Sequence, residues 1–580
     1  MLCTIFSVVS SKAYAAYGIL VNGTDYYAAS YDGEDPFGEG FEQYLAHVYV
    51  HAGDYCQLYD ADNQAAWAVA LNSSSVTVFT LNGDRYTCST DGCYDFYIKI
   101  KYQNDQLYIG AGSNCSSTPT DPSDPPTPQD YASAVPSQCE DVMLQAFYWD
   151  SYQDKGYGDT KWATLTNQVS EIGSYFDLVW LPPSHESKGG LGYIPSCYSS
   201  QSSSALGKKA ALQGLISALH NNGVKVLADI VINHCGNSSN ACDFKSLDFG
   251  TYGQFSPTNA WMTSDDEGVT KYGCSGGANK DDGQHEANYE PARDWDHKNV
   301  NVQNMCKAYL QWMKNVMLYD GFRYDYVGGY HVSHINDYNT ASKPYFSVME
   351  YWVGDASELK TRIDQAGNNS LTFDFSAKYN VFRDGIYLKS YTKCLNGGLR
   401  GKGYSKYAVT FIDNHDTFAR GSDNEDVANK RDGSSINDKS LMMRCNAYLL
   451  SMPGVPCVFY PHWVKYKSEI QAMIRARKAA GIHSESTVTE EAGSGYYRAT
   501  VIGKHGSVKL MLGSAAGDAA PQGYTQAVKG SDYAMYYVSY GQGVENVEAD
   551  KQGEKFLKDG QLFIRRGDKV YDTMGRQVNR

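Results

Sequence analysis

The chain of 580 residues has little positive charge and no long hydrophobic run. No stretch approaches the ~18 to 20 continuous apolar residues of a membrane-spanning helix, so we expect no membrane span. Its 50 Lys and Arg are outnumbered by 65 Asp and Glu, which gives a formal net charge of -15. Nucleic-acid binding depends on clustered Lys and Arg that neutralise phosphates, so this composition argues against it. An uncharged ligand fits this composition better than a nucleic acid does.

The 14 cysteines include no C-x-x-C pair, so the usual spacing of a zinc site is absent. Cys88 and Cys93 flank one polar turn and Cys235 and Cys242 another, so each pair could close a local disulfide. Residues 1–15 combine a short apolar stretch with an A-x-A pattern, which is typical of a secretory signal, although the usual positive start is missing. We therefore expect a secreted or extracytoplasmic protein; the alternative is that this segment is an ordinary first strand.

Residues 16–112 are rich in Tyr, Val, Gly and Asp. Alternating runs such as HVYVHAGDYCQLYDA and YDFYIKIKY, separated by turn residues, predict an N-terminal β-sandwich. The chain has 48 tyrosines, more than a core needs, and a flat ring with a polar tip suits a sugar surface. The alternative is that most of them are strand-forming residues on half-buried sheets. The Ser-, Thr- and Pro-rich segment 113–136 predicts a semi-rigid linker.

Residues 137–482 alternate short buried-strand runs with longer helical patterns. The runs are VMLQAFYW, FDLVWLPPS, VKVLADIVINH, GFRYDYV, YFSVMEYW, LTFDFS, YAVTFIDNH and GVPCVFY. Eight strand–helix units of this kind predict an α/β fold, a closed (β/α)8 TIM barrel. The Gly-, Asn-, Asp- and Ser-rich stretch 235–298 after the third strand predicts an inserted subdomain. Residues 483–580 predict a C-terminal antiparallel β domain.

Polar side chains gather at the carboxyl ends of four predicted strands, where βα barrels place their active sites. They are Asp229, Asn233 and His234 on the third strand, Arg323 and Asp325 on the fourth, Glu350 on the fifth, and His415 and Asp416 on the seventh. Three carboxylates at one rim suit glycoside cleavage. In that reaction one carboxylate attacks the anomeric carbon while a protonated one donates to the leaving oxygen.

Arg323 and Asp325 stand two residues apart in the run GFRYDYVGGY, so their side chains are expected on the same face of a strand. Alone, such a pair is either a structural salt bridge or an ionised carboxylate held ready by its cation. Among the other carboxylates, we expect Arg323 to keep Asp325 ionised. We also expect the crowded negative charge to raise the pKa of Glu350 towards that of a general acid.

These runs resemble the α-amylase family of retaining glycoside hydrolases. The motifs, between residues 141 and 540, are LQAFYWD, VWLPPSH, GYIP, ADIVINH, GFRYDYVGGY, SVMEYW, FIDNHD, GVPCVFY, VKLMLG and GSDYA. The barrel and terminal features look most like plant-type α-amylases. The resemblance implies an endo-acting enzyme, acting as a monomer, that hydrolyses internal α-1,4-glucosidic bonds of starch, glycogen and maltooligosaccharides with retention.

The resemblance also implies roles for single residues. Asp325 would be the nucleophile, Glu350 the acid and base, and Asp416 the carboxylate that stabilises the transition state. Substrate contacts or their support would come from Arg323, His234, His415, Tyr193 and Asp229.

A structural calcium ion is a further implication of the resemblance. Asn233, Asp294 and the carbonyl of Gly329 match positions that bind this ion in the family. Oxygen ligands of this kind suit a hard cation. The simpler interpretation is that Asn233 only hydrogen-bonds a loop and that the acidic insertion is a solvated surface.

The sequence departs from the family pattern at two places. Gly328 stands where the family usually has Lys or Arg, and the run SCYSSQSSS after GYIP lacks a frequent acidic residue. We therefore expect altered sugar binding on the leaving-group side and leave the length of the donor-side cleft open. The alternative functions within the family are a maltooligosaccharide or pullulan hydrolase, or an α-glucanotransferase. In another class, the chain would be a non-catalytic glucan-binding protein, which the three carboxylates disfavour. The N-terminal sandwich would be a tethered starch-binding module or, alternatively, a stabilising or oligomerising domain.

Overall fold

The structure is a computed structural model of the full chain. It describes residues 17–22, 25–34, 42–60, 65–69, 77–100, 106–111, 129–236, 242–285, 292–418, 436–540, 554–558, 561–566, 569–572 and 577–578. The predicted signal segment 1–15 lies outside these residues, as does most of the predicted linker 113–136. In the described part of the chain, no helix has both the length and the apolar character needed to cross a membrane.

Eight parallel strands form a closed barrel in chain order. They are β1 Met143–Gln145, β2 Leu178–Trp180, β3 Lys225–Ile230, β4 Gly321–Tyr324, β5 Phe346–Met349, β6 Leu371–Phe373, β7 Ala408–Phe411 and β8 Val455–Phe459. Nearly all their residues are buried, as expected for parallel strands covered on both sides. Each predicted run contains one of these strands, so the predicted (β/α)8 barrel is confirmed.

Helices cover the outside of the barrel. Their bounds are Trp162–Thr166, Val169–Gly173, Lys209–Asn221, Val300–Asn315, Ser333–Ser342, Ala356–Gln365, the π-helix Ala377–Tyr387, Lys439–Ser451, Tyr460–Lys465 and Lys467–Ala480. Helix Lys209–Asn221 shows why they form, because its buried residues Leu212, Leu215, Ile216 and Leu219 recur at helical spacing. Short 3-10 segments in this part of the chain are Ser151–Gln153, Val327–Gly329, Tyr391–Cys394, Gly398–Lys402 and Ser405–Tyr407.

Two antiparallel sheets precede the barrel and share one hydrophobic core. The first joins Asp25–Ala28, Tyr17–Val21, Tyr55–Asp60, Arg85–Cys88 and Phe79–Asn82, with Ala65–Trp67 paired to Tyr55–Asp60. The second joins Gln106–Ala111, Gly92–Ile100, Glu42–Val50 and Ser30–Glu34. Along Gly92–Ile100, Tyr94, Phe96 and Ile98 are buried in alternation, which is the period of a half-buried strand. This is the predicted β-sandwich.

The chain between β3 and β4 contains the insertion. Its strand pairs are His234–Cys235 with Arg293–Asp294 and Leu247–Asp248 with Gln254–Phe255, and its helical segments are Gly250–Tyr252, Asn259–Trp261 and Glu267–Thr270. The first pair ties both ends of the insertion to the mouth of the barrel. The stretch 235–298 predicted as a subdomain corresponds to this region.

Neither of the local disulfides suggested by the sequence forms. Cys242 is bonded instead to Cys274, across the insertion. The Cys235 thiol is free and lies 3.5 Å from the carbonyl oxygen of Pro195, because its strand faces the loop that follows β2. Cys88 is also a free thiol and donates to the carbonyl of Thr90.

The C-terminal part is antiparallel, as predicted. Its five-stranded sheet has the order Thr487–Gly493, Tyr496–Ile502, Gly506–Gly513, Tyr533–Ser539 and Thr525–Lys529, with the 3-10 segment Ser514–Gly517 beside it. Residues 539–580 form a separate unit. In it the strands Glu554–Lys558, Gln561–Arg566, Lys569–Asp572 and Gln577–Val578 pair in chain order.

Candidate active site

A cleft of about 340 Å³ opens at the carboxyl ends of the barrel strands. It is lined by Trp149, Tyr193, His234, His285, Asp325, Tyr326, Gly328, Glu350, Trp352, His415 and Asp416. The three carboxylates predicted from the sequence therefore share one cavity, although they come from different strands. The barrel brings them together because all its parallel strands end at the same rim.

One guanidinium lies at the centre of the carboxylates. Arg323 Nη1 donates to Asp325 Oδ1 at 2.7 Å and to Asp229 Oδ1 at 2.8 Å, and Arg323 Nη2 lies 2.7 Å from Glu350 Oε1. Arg323 is fully buried. A buried cation is stable only when it is paired and hydrogen-bonded, and here three anions from three strands supply that pairing.

Arg323 and Asp229 lie beneath the cleft, and neither lines it. Asp229 Oδ2 accepts hydrogen bonds from Trp180 Nε1 at 3.0 Å and from the Tyr193 hydroxyl at 2.8 Å. Its other oxygen, Oδ1, accepts from Arg323, so both carboxylate oxygens of Asp229 are bonded to protein groups. Neither side chain reaches the cavity, so any part that they play in substrate binding would be indirect, through the contacts of Arg323 with Asp325 and Glu350.

The electrostatics of the site are set first by burial. Burial raises the pKa of Asp325 above its ordinary value; Arg323 opposes this, and Glu350, Asp229 and Asp416 add to it. Burial likewise raises the pKa of Asp229 to about 6, against the opposing effect of Arg323. The expectation that Arg323 keeps Asp325 ionised did not include the cost of removing that carboxylate from water, which raises its pKa.

Glu350 is fixed by the backbone of the neighbouring strand. Its backbone N–H donates to the carbonyl of Tyr324, and its Oε2 accepts from the backbone N–H of Tyr326 at 3.1 Å. Tyr326 has the left-handed φ of 49°. A tyrosine rarely adopts this conformation, and such strain is found where the surrounding structure imposes it. Here the turn directs the N–H of Tyr326 at Glu350.

Aromatic rings form the opposite wall. Tyr193 stacks on His415 with ring centroids 4.9 Å apart, and Trp149 stacks on both at 5.8 and 6.0 Å. The side chain of Gln145 lies 3.0 Å from His415 Nδ1, and His415 Nε2 lies 3.2 Å from Asp416 Oδ2. This wall thus offers flat apolar faces beside a carboxylate, which is the combination a sugar ring requires.

His234 also lines the cleft, but both of its ring nitrogens have protein neighbours. Nε2 lies 2.9 Å from the carbonyl oxygen of Tyr193, and Nδ1 lies 3.2 Å from Asn233 Nδ2. Burial lowers the pKa of His234 to about 4, so the ring is neutral at ordinary pH. A sugar contact from His234 would require one of these two bonds to be exchanged.

The three residues proposed for calcium also lie together. Asn233 Nδ2 donates to Asp294 Oδ1 at 3.5 Å as well as to His234. Asn233 Oδ1 is buried and accepts no hydrogen bond from any described residue. A Cβ added to Gly329 would lie 2.1 Å from this oxygen, so only glycine permits the approach. An oriented amide oxygen beside a carboxylate and a close backbone fits a hard cation.

His, Cys, Asp and Glu side chains are the usual side-chain ligands of metal ions. No group of three such side chains suited to a metal ion occurs within the part of the chain that the structure describes.

Sequence reasoning did not single out four residues that line the cleft. Trp149 and Trp352 end the quoted runs VMLQAFYW and YFSVMEYW, and their place a few residues beyond a strand was the available signal. Tyr326 follows Asp325 directly, and nothing in the sequence shows its left-handed conformation. His285 lies in the insertion, where no pattern marks it.

Comparisons with known proteins identify the family of the chain. The family description "Alpha amylase, catalytic domain" matches residues 167–362. Over 136 residues the chain is 36% identical to an α-amylase type B isozyme of Hordeum vulgare, covering 78% of that sequence and 22% of this chain. The chain belongs to the α-amylase family.

Other members of the α-amylase family match over a greater length. The chain is 29% identical over 425 residues to probable α-amylase 2 of Arabidopsis thaliana, covering 68% of this chain and 94% of that protein. In fold it is similar to the crystal structure of an Anoxybacillus α-amylase, with a TM-score of 0.51 at 12% identity, over 70% of this chain and 100% of that one. The chain is accordingly a glycoside hydrolase.

Proposed function

We propose that the chain is an endo-acting α-amylase that hydrolyses internal α-1,4-glucosidic bonds of starch or glycogen with retention. The observation that carries this proposal is the bridge from Arg323 to both Asp325 and Glu350. Retaining glycosidases hold their two carboxyl groups about 5 to 5.5 Å apart, closer than inverting enzymes do. Carboxylates on the two terminal nitrogens of one guanidinium are held close together, which supports a double displacement.

In this mechanism Asp325 acts first. Its ionised carboxylate attacks the anomeric carbon, and the bond from that carbon to the leaving oxygen breaks. Glu350 gives its proton to this oxygen, so the new chain end leaves as an alcohol. Glu350, now ionised, takes a proton from water, whose oxygen attacks the anomeric carbon and releases Asp325. Two inversions give net retention.

The remaining residues act on the sugar rather than on the bond. Asp416 is the third carboxylate of the cleft and, beside His415, would accept hydrogen bonds from sugar hydroxyls and stabilise positive charge on the ring. The stack of Trp149, Tyr193 and His415 would support the ring face. Arg323 and Asp229 would fix the direction of the nucleophile.

A product time course on soluble starch tests the proposed function. Polymer length should fall before much reducing sugar accumulates, and NMR of early products should show the α-anomer. Maltose released only from chain ends, or β-anomers, would overturn the proposal. A chain-length increase in added maltooligosaccharides would favour the related glucanotransferase activity instead.

We also propose that calcium binds at Asn233, Asp294 and the carbonyl of Gly329. The orphaned amide oxygen of Asn233 supports this. Addition of calcium to chelator-treated protein should raise the melting temperature of the wild type but raise that of Asn233→Ala much less. If calcium raised the melting temperature of the wild type and of Asn233→Ala equally, these residues would not be the calcium ligands.

For the N-terminal sandwich we propose α-glucan binding. The outward face of its second sheet carries the exposed Tyr49 and the half-buried neighbours Tyr97 and Tyr108, which are register partners. Starch granules should retain the wild type and the exposed-surface control Tyr540→Ala, but retain Tyr97→Ala/Tyr108→Ala weakly. Equal retention, with unchanged activity on soluble maltooligosaccharides, would favour a stabilising domain.

Export remains a proposal as well. The Cys242–Cys274 disulfide supports it, because such bonds persist in oxidising compartments. Fractionation of the native host should recover the protein outside the cytoplasm with this bond intact. Recovery in the cytoplasm with both thiols reduced would contradict export.

A further inference from the structure

The two walls of the cleft differ in their relation to the general acid. Trp149, Tyr193 and His415 stack on one another, with Asp416 beside them. Tyr326 lies on the other side, where its N–H binds Glu350. A general acid must face the oxygen that leaves. On the proposed function, the wall beside Glu350 therefore faces the departing sugar.

This second wall contains Gly328, which contributes no side chain. Its carbonyl instead accepts the backbone N–H groups of Gln284 at 2.8 Å and His285 at 3.2 Å. The side chain of Gln284 extends the attachment, because its oxygen accepts from the N–H of Val332 and its amide donates to Gln365. The insertion is thus attached to the barrel at the edge of the cleft.

The attachment places the His285 side chain at the cleft. The ring is exposed, lines the cavity and lies 5.8 Å from the ring of Tyr351. Neither ring nitrogen makes a hydrogen bond to another described residue. An imidazole has a donor and an acceptor to satisfy, and a sugar hydroxyl can serve as either partner.

We propose that His285 is a specificity-determining residue that hydrogen-bonds the glucose unit on the leaving-group side of the cleaved bond. The insertion thereby supplies the polar contact that Gly328 cannot make. This inference rests on the proposed function, since it takes the position of the departing sugar from the role of Glu350.

Two substrates that differ only in the leaving group test the inference. Maltopentaose places a sugar on the leaving-group side, whereas an α-maltosyl fluoride releases only fluoride. His285→Ala should lower kcat/KM for maltopentaose by about 3- to 10-fold, the range for one lost hydrogen bond, and leave the fluoride unchanged. His285→Gln, which keeps a donor and an acceptor, should recover most of the loss.

The control is His505→Ala, in the C-terminal sheet region, which should match the wild type on both substrates. Equal loss on maltopentaose and on the fluoride would show a structural role for His285 and overturn the inference, as would no loss on either. Failure of the proposed function would look different, because it would appear in the wild type itself: as β-anomeric products, as maltose from chain ends only, as chain-length increase, or as no cleavage of either substrate.

Discussion

Two fully buried arginines at opposite ends of the barrel show how surroundings decide what a charge does. Arg323 at the carboxyl end of β4 contacts the carboxylates of Asp229, Asp325 and Glu350. Arg477 in helix Lys467–Ala480 instead donates to the backbone carbonyls of Leu450, Met452 and Gly454, which lead into β8. Both side chains have a relative exposure of 0%.

The difference appears in their pKa values. Burial lowers the pKa of Arg477 to about 10, and the opposing effect of Cys139, Asp177 and Glu140 does not offset it. Burial acts on Arg323 in the same direction, but Asp229, Glu350 and Asp325 together raise its pKa well above the ordinary value. Arg477 therefore holds backbone segments together by hydrogen bonds, whereas Arg323 holds three carboxylates close to one another. Only the arrangement around Arg323 gathers charged groups at the cleft.

The largest effect should follow from changing Arg323, which contacts the carboxylates from beneath the cleft. Arg323→Gln leaves three carboxylates without their common cation, so attack by Asp325 and proton donation by Glu350 both lose their geometry. We expect kcat to fall by at least about 10²- to 10³-fold, as when one preorganised electrostatic group is removed. Steady-state kinetics on maltopentaose, normalised to folded protein by circular dichroism, would measure this. Retention of half the wild-type kcat would contradict the account.

The matched change at the other arginine should affect stability alone. Arg477→Gln leaves backbone carbonyls near β8 without donors, which costs about 1–3 kcal/mol in the free energy of unfolding. The kcat per folded molecule should stay within about twofold of the wild type, because no cleft residue contacts Arg477. Chemical denaturation and the same kinetic assay give both values. If Arg477→Gln lowered kcat without lowering stability, the proposed difference between the two arginines would be wrong.

The pH dependence of the reaction should reflect the buried carboxylates. Asp325 must be ionised to attack, and burial raises its pKa. Activity should therefore be lost as pH falls through a pKa above the ordinary aspartate value of about 3.9, while at higher pH the nucleophile is available. The midpoint of the decrease in kcat/KM at low pH gives the pKa of Asp325. A midpoint at or below about 3.9 would show that Arg323 outweighs burial.

A smaller effect should come from the hydrogen bond between Tyr193 and Asp229. Tyr193→Phe keeps the stack on His415 but removes one donor from a buried carboxylate, at a cost of about 0.5–1.5 kcal/mol. We expect kcat/KM to fall by less than about tenfold. Tyr524→Phe, whose hydroxyl contacts Ser507 in the C-terminal sheet, is the control. If Tyr193→Phe and this control had the same kcat/KM, the Tyr193 hydroxyl would have no role in catalysis.

The sequence was sufficient for the barrel because each strand is a short, local, buried run. The carboxylates at its rim were found for the same reason: Asp325 and Glu350 directly follow β4 and β5, and Asp416 follows the run YAVTFIDNH, which contains β7. Arg323 and Asp229 were also found, but their burial beneath the cleft was not, because it depends on Trp180 of β2 and on Tyr193 in the loop that follows it. The sandwich followed equally from local alternation.

Long-range pairing was the part that the sequence did not disclose. Cys242 bonds to Cys274 rather than to Cys235, because the path of the insertion brings distant residues together. His285 was missed for the same reason. Its place at the cleft depends on hydrogen bonds to the carbonyl of Gly328, and a backbone acceptor leaves no trace in the side-chain pattern.

The central claim is that Asp325 bonds to the sugar while Glu350 handles the proton, and trapping the covalent intermediate tests it most directly. In Glu350→Gln an α-maltosyl fluoride needs no acid to leave, but water lacks its base, so the glycosyl-enzyme should accumulate. Peptide mass spectrometry should then find one maltosyl group on Asp325. An intact, folded protein that reacts with the fluoride but carries no adduct, or carries it on Asp416, would contradict the account.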